Sequence, residues 1–146
     1  MANLQMELYK KGYDGEHTKD LPQHITLGTF RVSQEMEIRE LLKKVAAKTE
    51  AFTITFNHVG IFGGSKVLFI APDLNRKLLE LKENFSDSHN WTPHTTMLID
   101  KPNIIYQALP IVADKFEAFE GYINYIYLYE FWPTRFICSE KLIYQD

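Results

Sequence analysis

The feature of this sequence that most constrains its fold is a short motif that occurs twice, 70 residues apart. Residues 24–27 read HITL and residues 94–97 read HTTM, so both have the form His-x-Thr-aliphatic. Each copy opens a segment whose pattern predicts a β-strand, and a predicted helix follows each strand. A period this long excludes a solenoid, whose repeats are about 20–50 residues. The recurrence therefore predicts a domain made of two related halves.

The rest of the pattern predicts further strands and helices around the motifs. Strands are predicted where apolar and polar residues alternate or where β-branched and aromatic residues cluster: 3–9, 24–30, 51–58, 66–71, 94–100, one or two within 116–131, and 136–144. Three helices are predicted. The first begins after Ser33 and buries Met36, Leu41, Leu42 and Val45, and the second begins after Asp73 and buries Leu74, Leu78, Leu81 and Phe85. The third begins at Pro102 and is expected to kink or end at Pro110.

Length and composition place the chain among ordinary globular domains. Its 146 residues, 45% of them hydrophobic and 24% charged, predict one domain over residues 1–146 and exclude wholesale disorder. A net charge of −3 argues against a strong nonspecific grip on nucleic acid. The single cysteine, Cys138, excludes an internal disulfide, and no apolar run approaches the ~18 residues of a membrane span or resembles a signal peptide. We expect a cytoplasmic monomer that does not bind membranes.

Each motif presents two chemical groups on one side of its predicted strand. Side chains alternate between the faces of a strand, so the His and the Thr share one face while the residues between them anchor the other. Histidine populates both protonation states near neutral pH, so a pair of imidazoles can remove one proton and deliver another. Threonine hydroxyls can donate hydrogen bonds to phosphate oxygens while negative charge builds there. Two such motifs around one small volume suit transfer at a phosphodiester without a metal.

The paired motifs, the second within the segment WTPHTTM of residues 91–97, resemble those of the 2H phosphoesterase superfamily, which includes 2′-5′ RNA ligase-like proteins and cyclic nucleotide phosphodiesterases. The resemblance extends from about residue 3 to residue 130 in the order of elements. It implies an α+β fold, a two-lobed pseudo-symmetric duplication of strand-helix-strand units with antiparallel sheets facing a central cleft. It also implies that His24 and His94 are the acid–base pair and that Thr26 and Thr96 bind the phosphate.

The resemblance further implies a class of reaction. Members hydrolyse 2′,3′-cyclic phosphates or related bonds, and some join RNA ends in the reverse sense. We therefore predict an enzyme without a cofactor, a cyclic phosphodiesterase or 2′-5′ RNA ligase-like phosphoesterase acting on a nucleotide or RNA with a cyclic phosphate or a 2′-5′ linkage. Two alternatives stay open: a non-catalytic module that binds RNA ends or nucleotides with the same His and Thr residues, and an interaction domain with no ligand.

Outside the motifs, the sequence offers weaker candidates for substrate binding. Tyr127 and Tyr129 share one face of a predicted strand with Tyr125, where they could stack on a base or bond a phosphate, or form a half-buried sheet face with hydroxyls at its rim. Arg135 is a candidate phosphate ligand and so are three other basic residues, each of which could equally be a solvated surface charge: Lys66, Arg76 and Lys101.

Three histidines lie outside the motifs: His17, His58 and His89. The sequence contains neither H-x₃-H nor H-E-x-x-H, so it predicts no metal site. Cys138 stands in a predicted strand and is expected to be a small core residue. Trp91, just before the second motif, is expected to be a packing residue, with base stacking as the alternative.

Overall fold

The computed structural model describes residues 1–16, 19 and 22–144 and has an α+β fold, as the sequence predicts. The helices are α1 (Ala2–Lys10), α2 (Glu35–Ala46), α3 (Arg76–Glu83) and α4 (Pro102–Lys115). The strands are β1 (Phe52–Ile61), β2 (Val67–Pro72), β3 (Thr95–Ile99), β4 (Phe119–Ile123), β5 (Tyr125–Glu130) and β6 (Arg135–Lys141). A 3₁₀ turn, Val32–Gln34, precedes α2. No helix in the described ranges combines the length and the apolar character that crossing a membrane requires.

The strands form two sheets. One has four strands in the order β3-β2-β1-β4, with β1–β2 and β2–β3 antiparallel, and the other is the antiparallel pair β5–β6. The larger sheet has two β-bulges, since Asn57 is an extra residue on β1 and Met97 is an extra residue on β3. Bulges of this kind redirect the side chains beside them and are frequent next to active sites.

The chain divides into two compact units, each made of three segments. The first comprises Met1–Thr26, Thr55–Asp73 and Thr92–Phe119, and both motif histidines lie in it. The second comprises Leu27–Ile54, Leu74–Trp91 and Glu120–Asp146. Buried apolar side chains form the core of each unit: Leu8, Leu68, Ile70, Met97, Leu98 and Ile105 in the first, and Ile38, Leu42, Val45, Ile54, Leu78 and Leu81 in the second. Two sheets and two units fit the predicted duplication.

The prediction of a strand at residues 3–9 is wrong, because these residues lie in α1. Leu4 and Leu8 are four residues apart and share one side of the helix, where Leu8 is fully buried. Met6, which a strand would have placed beside them, is exposed. Residues 3–9 include two Leu, a Gln, a Met and a Glu and have no β-branched residue, so the propensity of the segment favours a helix. An alternation over only three apolar residues is too short to override that preference.

The prediction of a strand at residues 24–30 is also wrong, since this segment lies outside the named strands. Pro22 lacks a backbone donor before it, and Gly28 weakens any strand within it. The Phe30 ring packs on Gly28, where an added Cβ would lie 3.1 Å from the ring. The other predicted strands form close to the expected residues, and the segment 116–131 forms two of them.

The starts of two helices differ from the prediction. Ser33 lies in the 3₁₀ turn rather than at the N-cap of α2, and Ile38 is buried where Met36 is exposed. α3 begins at Arg76, because the side chain of Asn75 accepts a hydrogen bond from the Leu78 N–H at 3.0 Å. Leu74 therefore precedes the helix and is exposed rather than buried on its apolar face.

α4 does not end at Pro110 but continues to Lys115. Proline inside a helix removes one backbone hydrogen bond. Buried residues on both sides of it, Ile105, Ala108 and Val112, hold the helix against the core. Their burial offsets the missing hydrogen bond.

Candidate active site

The two motif histidines share one hydrogen-bond arrangement. His24 Nδ1 lies 2.6 Å from the backbone oxygen of Pro22, and His94 Nδ1 lies 2.8 Å from the backbone oxygen of Thr92. A carbonyl oxygen only accepts, so Nδ1–H donates in both rings and the neutral form keeps its lone pair on Nε2. Protonation adds a hydrogen at Nε2 without breaking this bond. Each ring can therefore act at one fixed atom, as a base when neutral and as an acid when protonated.

A chain of hydrogen bonds brings the two motifs together. Thr95, which follows the second motif histidine, donates from Oγ1 to Oε1 of Gln23, which precedes the first, at 2.9 Å. The Gln23 amide in turn donates to Oε1 of Gln5. Gln5 donates to the backbone oxygen of Met97 at 3.3 Å. Thr95 is only 1% exposed, so these bonds lie behind the motifs rather than in solvent. Hydrogen bonds thus join the segments around the two motif histidines within the first unit.

Within each motif, the His and Thr side chains are the more accessible ones. His24 and Thr26 are exposed. In the second motif His94 and Thr96 are half-buried, whereas the residues that alternate with them, Thr95 and Met97, are fully buried. The imidazoles and hydroxyls can therefore reach a ligand while the rest of the motif is fixed by packing.

Two phenyl rings hold the imidazole of His94. The Phe62 ring meets it edge-on with centroids 4.7 Å apart, and the Phe69 ring lies at 5.4 Å. Phe69 is paired with Thr96 on one side and with Gly60 on the other, so its ring lies over the glycine. A Cβ added at Gly60 would lie 2.5 Å from the Phe69 ring. The absence of a side chain at position 60 therefore makes room for the ring that supports His94.

We expect Gly60→Ala to destabilise the protein by about 1–3 kcal/mol, the usual cost of overpacking a core. The Phe69 ring is nearly buried between Phe62 and His94, so it cannot move aside without displacing one of them. Gly63→Ala is the matched control, because a Cβ there would meet nothing within 4 Å. Urea unfolding of both variants measures the difference, and equal stabilities would contradict the proposed packing.

We expect Thr95→Val to lower the free energy of unfolding by about 1–2 kcal/mol, because Oε1 of Gln23 then loses the hydroxyl that donates to it. Valine has nearly the same shape, so packing is retained. Thr53→Val, at an exposed position of β1, is the control and should change stability by less than about 0.5 kcal/mol. Urea unfolding measures both; an unchanged Thr95→Val variant would show that the bridge between the motifs contributes no stability.

The tyrosines predicted to bind substrate lie in the second unit, on the outer face of β5. Neighbouring rings follow one another along the strand, with centroids 5.9 Å apart for Tyr125 and Tyr127 and 6.3 Å apart for Tyr127 and Tyr129. Phe131 continues the row at 6.2 Å from Tyr129. Tyr127 is 55% exposed, and its ring stacks on that of Tyr125. Base stacking by Tyr127 and Tyr129 stays a prediction.

Arg135, the predicted phosphate ligand, is held by two carboxylates. Its Nε donates to Glu130 at 2.7 Å and its Nη2 donates to Glu35 at 3.0 Å. These hydrogen bonds raise the pKa of the Arg135 guanidinium above its usual value. A phosphate would have to compete with both carboxylates, so its role as a phosphate ligand also stays a prediction.

The other candidate residues of the sequence differ in exposure and in their partners. The basic candidates outside the motifs are all exposed: Lys66, Arg76 and Lys101. His89 is exposed, His58 pairs with Asp73, and His17 lies outside the described residues. Cys138 is half-buried rather than a core residue, and burial raises the pKa of its thiol. Among residues 1–16, 19 and 22–144, no group of three His, Cys, Asp or Glu side chains is arranged to hold a metal ion.

A buried lysine organises the segments next to the motifs. Lys82 Nζ donates to Ser86 Oγ and, at 3.0 Å, to the backbone oxygen of Asp87, and it lies 5.5 Å from the centre of the Trp91 ring. Ser86 Oγ donates to the backbone oxygen of Leu27, the last residue of the first motif, at 3.1 Å. Trp91 is half-buried beside this cation, and its packing role stays a prediction.

Sequence patterns alone did not point to the groups that position the histidines. Gln5 and Gln23 are far apart in the chain, and nothing in their local pattern pairs them. The carbonyls that orient the rings belong in each case to the residue two positions before the histidine, Pro22 and Thr92. That shared spacing is a signal that the motif comparison could have included.

Comparisons with known proteins identify the family of the chain. The sequence model of the 2′-5′ RNA ligase superfamily matches residues 3–131. No curated protein matches the chain.

Solved structures resemble the chain over nearly its whole length. The apo form of E. coli LigT superposes with a TM-score of 0.66 at 16% identity, covering 98% of this chain and 92% of LigT. E. coli LigT complexed with 3′-AMP gives a TM-score of 0.64 at 17% identity, covering 98% and 93%. A crystal structure described as a phosphoesterase gives 0.64 at 16% identity, covering 98% and 94%. At such low identities the likeness shows a shared fold.

Proposed function

We propose that this chain, which belongs to the 2′-5′ RNA ligase superfamily, is a metal-independent phosphoesterase that hydrolyses, or in reverse forms, a ribose cyclic phosphate or a 2′-5′ phosphodiester bond. Membership confirms the resemblance to 2H phosphoesterases that the two motifs predict. The substrate is a nucleotide or RNA that carries one of these groups. His24 and His94 are the acid–base pair, and Thr26 and Thr96 bind the phosphate.

Hydrolysis of a 2′,3′-cyclic phosphate needs one proton removed and one delivered. The neutral imidazole accepts a proton from water at Nε2 as the water oxygen forms a bond to phosphorus. The bond from phosphorus to one ribose oxygen breaks, and the protonated imidazole delivers its Nε2 proton to that oxygen. The threonine hydroxyls donate to the non-bridging oxygens, where negative charge builds. The product is a phosphate monoester beside a free ribose hydroxyl.

The observation that carries this proposal is the identical presentation of two imidazoles on adjoining segments. Both rings donate from Nδ1 to a backbone oxygen, and the bond between Thr95 and Gln23 joins the segments that hold them. Two histidines with unrelated structural roles have no need of the same Nδ1 hydrogen bond to a carbonyl two residues earlier. Two Nε2 atoms are what in-line attack and departure on opposite sides of one phosphorus require.

The finer assignments follow from the same proposal. We assign Tyr127 and Tyr129 to base stacking and Arg135 to phosphate binding, with the carboxylates of Glu35 and Glu130 as competitors for its guanidinium. The enzyme acts as a cytoplasmic monomer in this proposal. Gel filtration tests the monomer, since a dimer would elute at twice the chain's 17.1 kDa.

Phosphorus NMR of the protein with 2′,3′-cyclic AMP tests the proposed function. We expect a phosphate monoester signal to grow with time, at the same rate with and without EDTA. A ligand that binds but stays cyclic would favour the binding module instead. Absence of both turnover and a nucleotide-induced thermal shift would favour an interaction domain with no ligand.

A further inference from the structure

A third histidine lies on the same sheet face as Thr96. Residues directly paired across antiparallel strands point to the same face. Gly60 pairs with Phe69, and Phe69 pairs with Thr96, so these three share a face. His58 is two residues before Gly60, with no bulge between them, and therefore shares that face. Since neighbouring strands are about 4.8 Å apart, the β1 backbone lies roughly 10 Å from that of β3.

His58 is one half of an accessible hydrogen-bonded pair. Its Nε2 lies 2.8 Å from Oδ1 of Asp73, and the amide of Asn57 lies 3.5 Å from the same oxygen. The side chains of His58 and Asp73 are 57% and 47% exposed. A carboxylate only accepts, so Nε2–H donates and Nδ1 is the nitrogen that His58 can offer to a ligand. This is the opposite tautomer to that of the motif histidines.

The pair of His58 and Asp73 is not needed for the stability of the fold. An ion pair so exposed contributes little to folding. The chain is already fixed at Asp73, whose backbone N–H donates to the Thr55 oxygen at 2.8 Å. The register after the bulge at Asn57 places His58 on the face that holds Thr96. The polar atoms of the pair are thus available for binding.

The chemistry of the pair selects an uncharged ligand group. A protonated His58 is neutralised by Asp73, and the carboxylate would repel a second phosphate. Carboxylate, imidazole and amide together match the donors and acceptors of ribose hydroxyls or of a nucleobase edge; an acidic side chain holds ribose hydroxyls in this way at dinucleotide sites. Ala71, the partner of His58 on β2, adds only a methyl group between β1 and β3.

We propose that His58 and Asp73 form a subsite for the nucleoside part of the substrate, next to the residues that bind its phosphate. The inference rests on the proposed function, because it takes the motif residues as the phosphate site. With this subsite, the protein binds nucleoside phosphates more tightly than small cyclic phosphates that lack a nucleoside.

Binding measurements by titration NMR test the subsite, with 3′-AMP, ribose 3-phosphate and inorganic phosphate as probes. We expect His58→Ala to weaken 3′-AMP binding about tenfold, the equivalent of one hydrogen bond, and to leave phosphate binding unchanged. Asp73→Asn should have the same selectivity, and His89→Ala, at an exposed position, should change neither. Loss of ribose 3-phosphate binding as well would assign the contact to the sugar, and its retention would assign the contact to the base.

Three results would overturn the inference: equal weakening of 3′-AMP and phosphate, no weakening of either, or a wild-type protein that binds 3′-AMP no more tightly than phosphate. Thermal unfolding of each variant separates lost binding from lost folding, and Asp73→Asn keeps the shape of its side chain if His58→Ala is unstable. Because binding is measured without turnover, a protein that hydrolyses nothing would refute the proposed function while these measurements still decide the subsite.

Discussion

Replacing either His24 or His94 with alanine is expected to lower kcat for 2′,3′-cyclic AMP hydrolysis by about 100-fold or more, the usual contribution of a positioned proton donor or acceptor. Each imidazole handles a different proton, so neither can substitute for the other within one turnover. Both rings are at least partly accessible, so their removal should leave the core intact. Initial rates of monoester formation at saturating substrate measure the effect.

His89→Ala is the matched control for these two variants, because His89 is an exposed histidine outside both motifs. Its kcat should equal that of the unmodified protein. Circular dichroism and thermal unfolding establish that each variant is folded. If both single variants kept full activity, the acid–base assignment would be wrong, whatever the reaction.

The pH dependence of the same variants separates the two roles. The intact protein should give a bell-shaped profile of kcat, because one imidazole must be neutral and the other protonated. The residual activity of the variant that lacks the base should lose the rise from acidic pH, and that of the variant that lacks the acid should lose the fall toward alkaline pH. Identical bell shapes in all three proteins would show that the two ionisations belong to other groups.

The duplicated motif was predictable because its chemistry is local. A histidine and a threonine two residues apart can be found in any sequence, and their recurrence before a predicted helix indicated a duplication. The strand at β3 forms as its pattern predicts, whereas residues 24–30 hold the first motif without joining a named strand. The arrangement of the first motif therefore comes from the spacing of its residues and from their contacts, and it does not require a regular strand.

The hydrogen bonds and packing contacts that hold the motif residues could not be predicted from local sequence patterns, because they join residues that are distant in the chain. The bond between Gln23 and Thr95 spans 72 residues, and that between Gln5 and Met97 spans 92. Gly60 looks like an ordinary glycine until the register places Phe69 opposite it. The alternation of Leu4, Met6 and Leu8 predicts a strand, whereas in α1 only Leu4 and Leu8 share a face and Met6 is exposed. The helix propensity of the segment outweighs so short an alternation.

Removing the motif hydroxyls should give the next largest loss of activity. Thr26→Val and Thr96→Val are each expected to lower kcat/KM by about 10- to 100-fold, below the full loss seen for a donor in a dry oxyanion site. Both threonines are at least partly accessible, and water can replace part of each lost hydrogen bond. Valine keeps the shape of threonine, so the change removes the donor and little else.

Thr29→Val is the matched control for the hydroxyl variants, because Thr29 is exposed and lies two residues beyond the first motif. Its kcat/KM should not change. The double variant Thr26→Val/Thr96→Val should lose more than either single variant if both hydroxyls hold one phosphate as its charge builds. A double variant no slower than the slower single variant would show that only one threonine reaches the phosphate. The proposal that Thr26 and Thr96 both bind it would then be wrong.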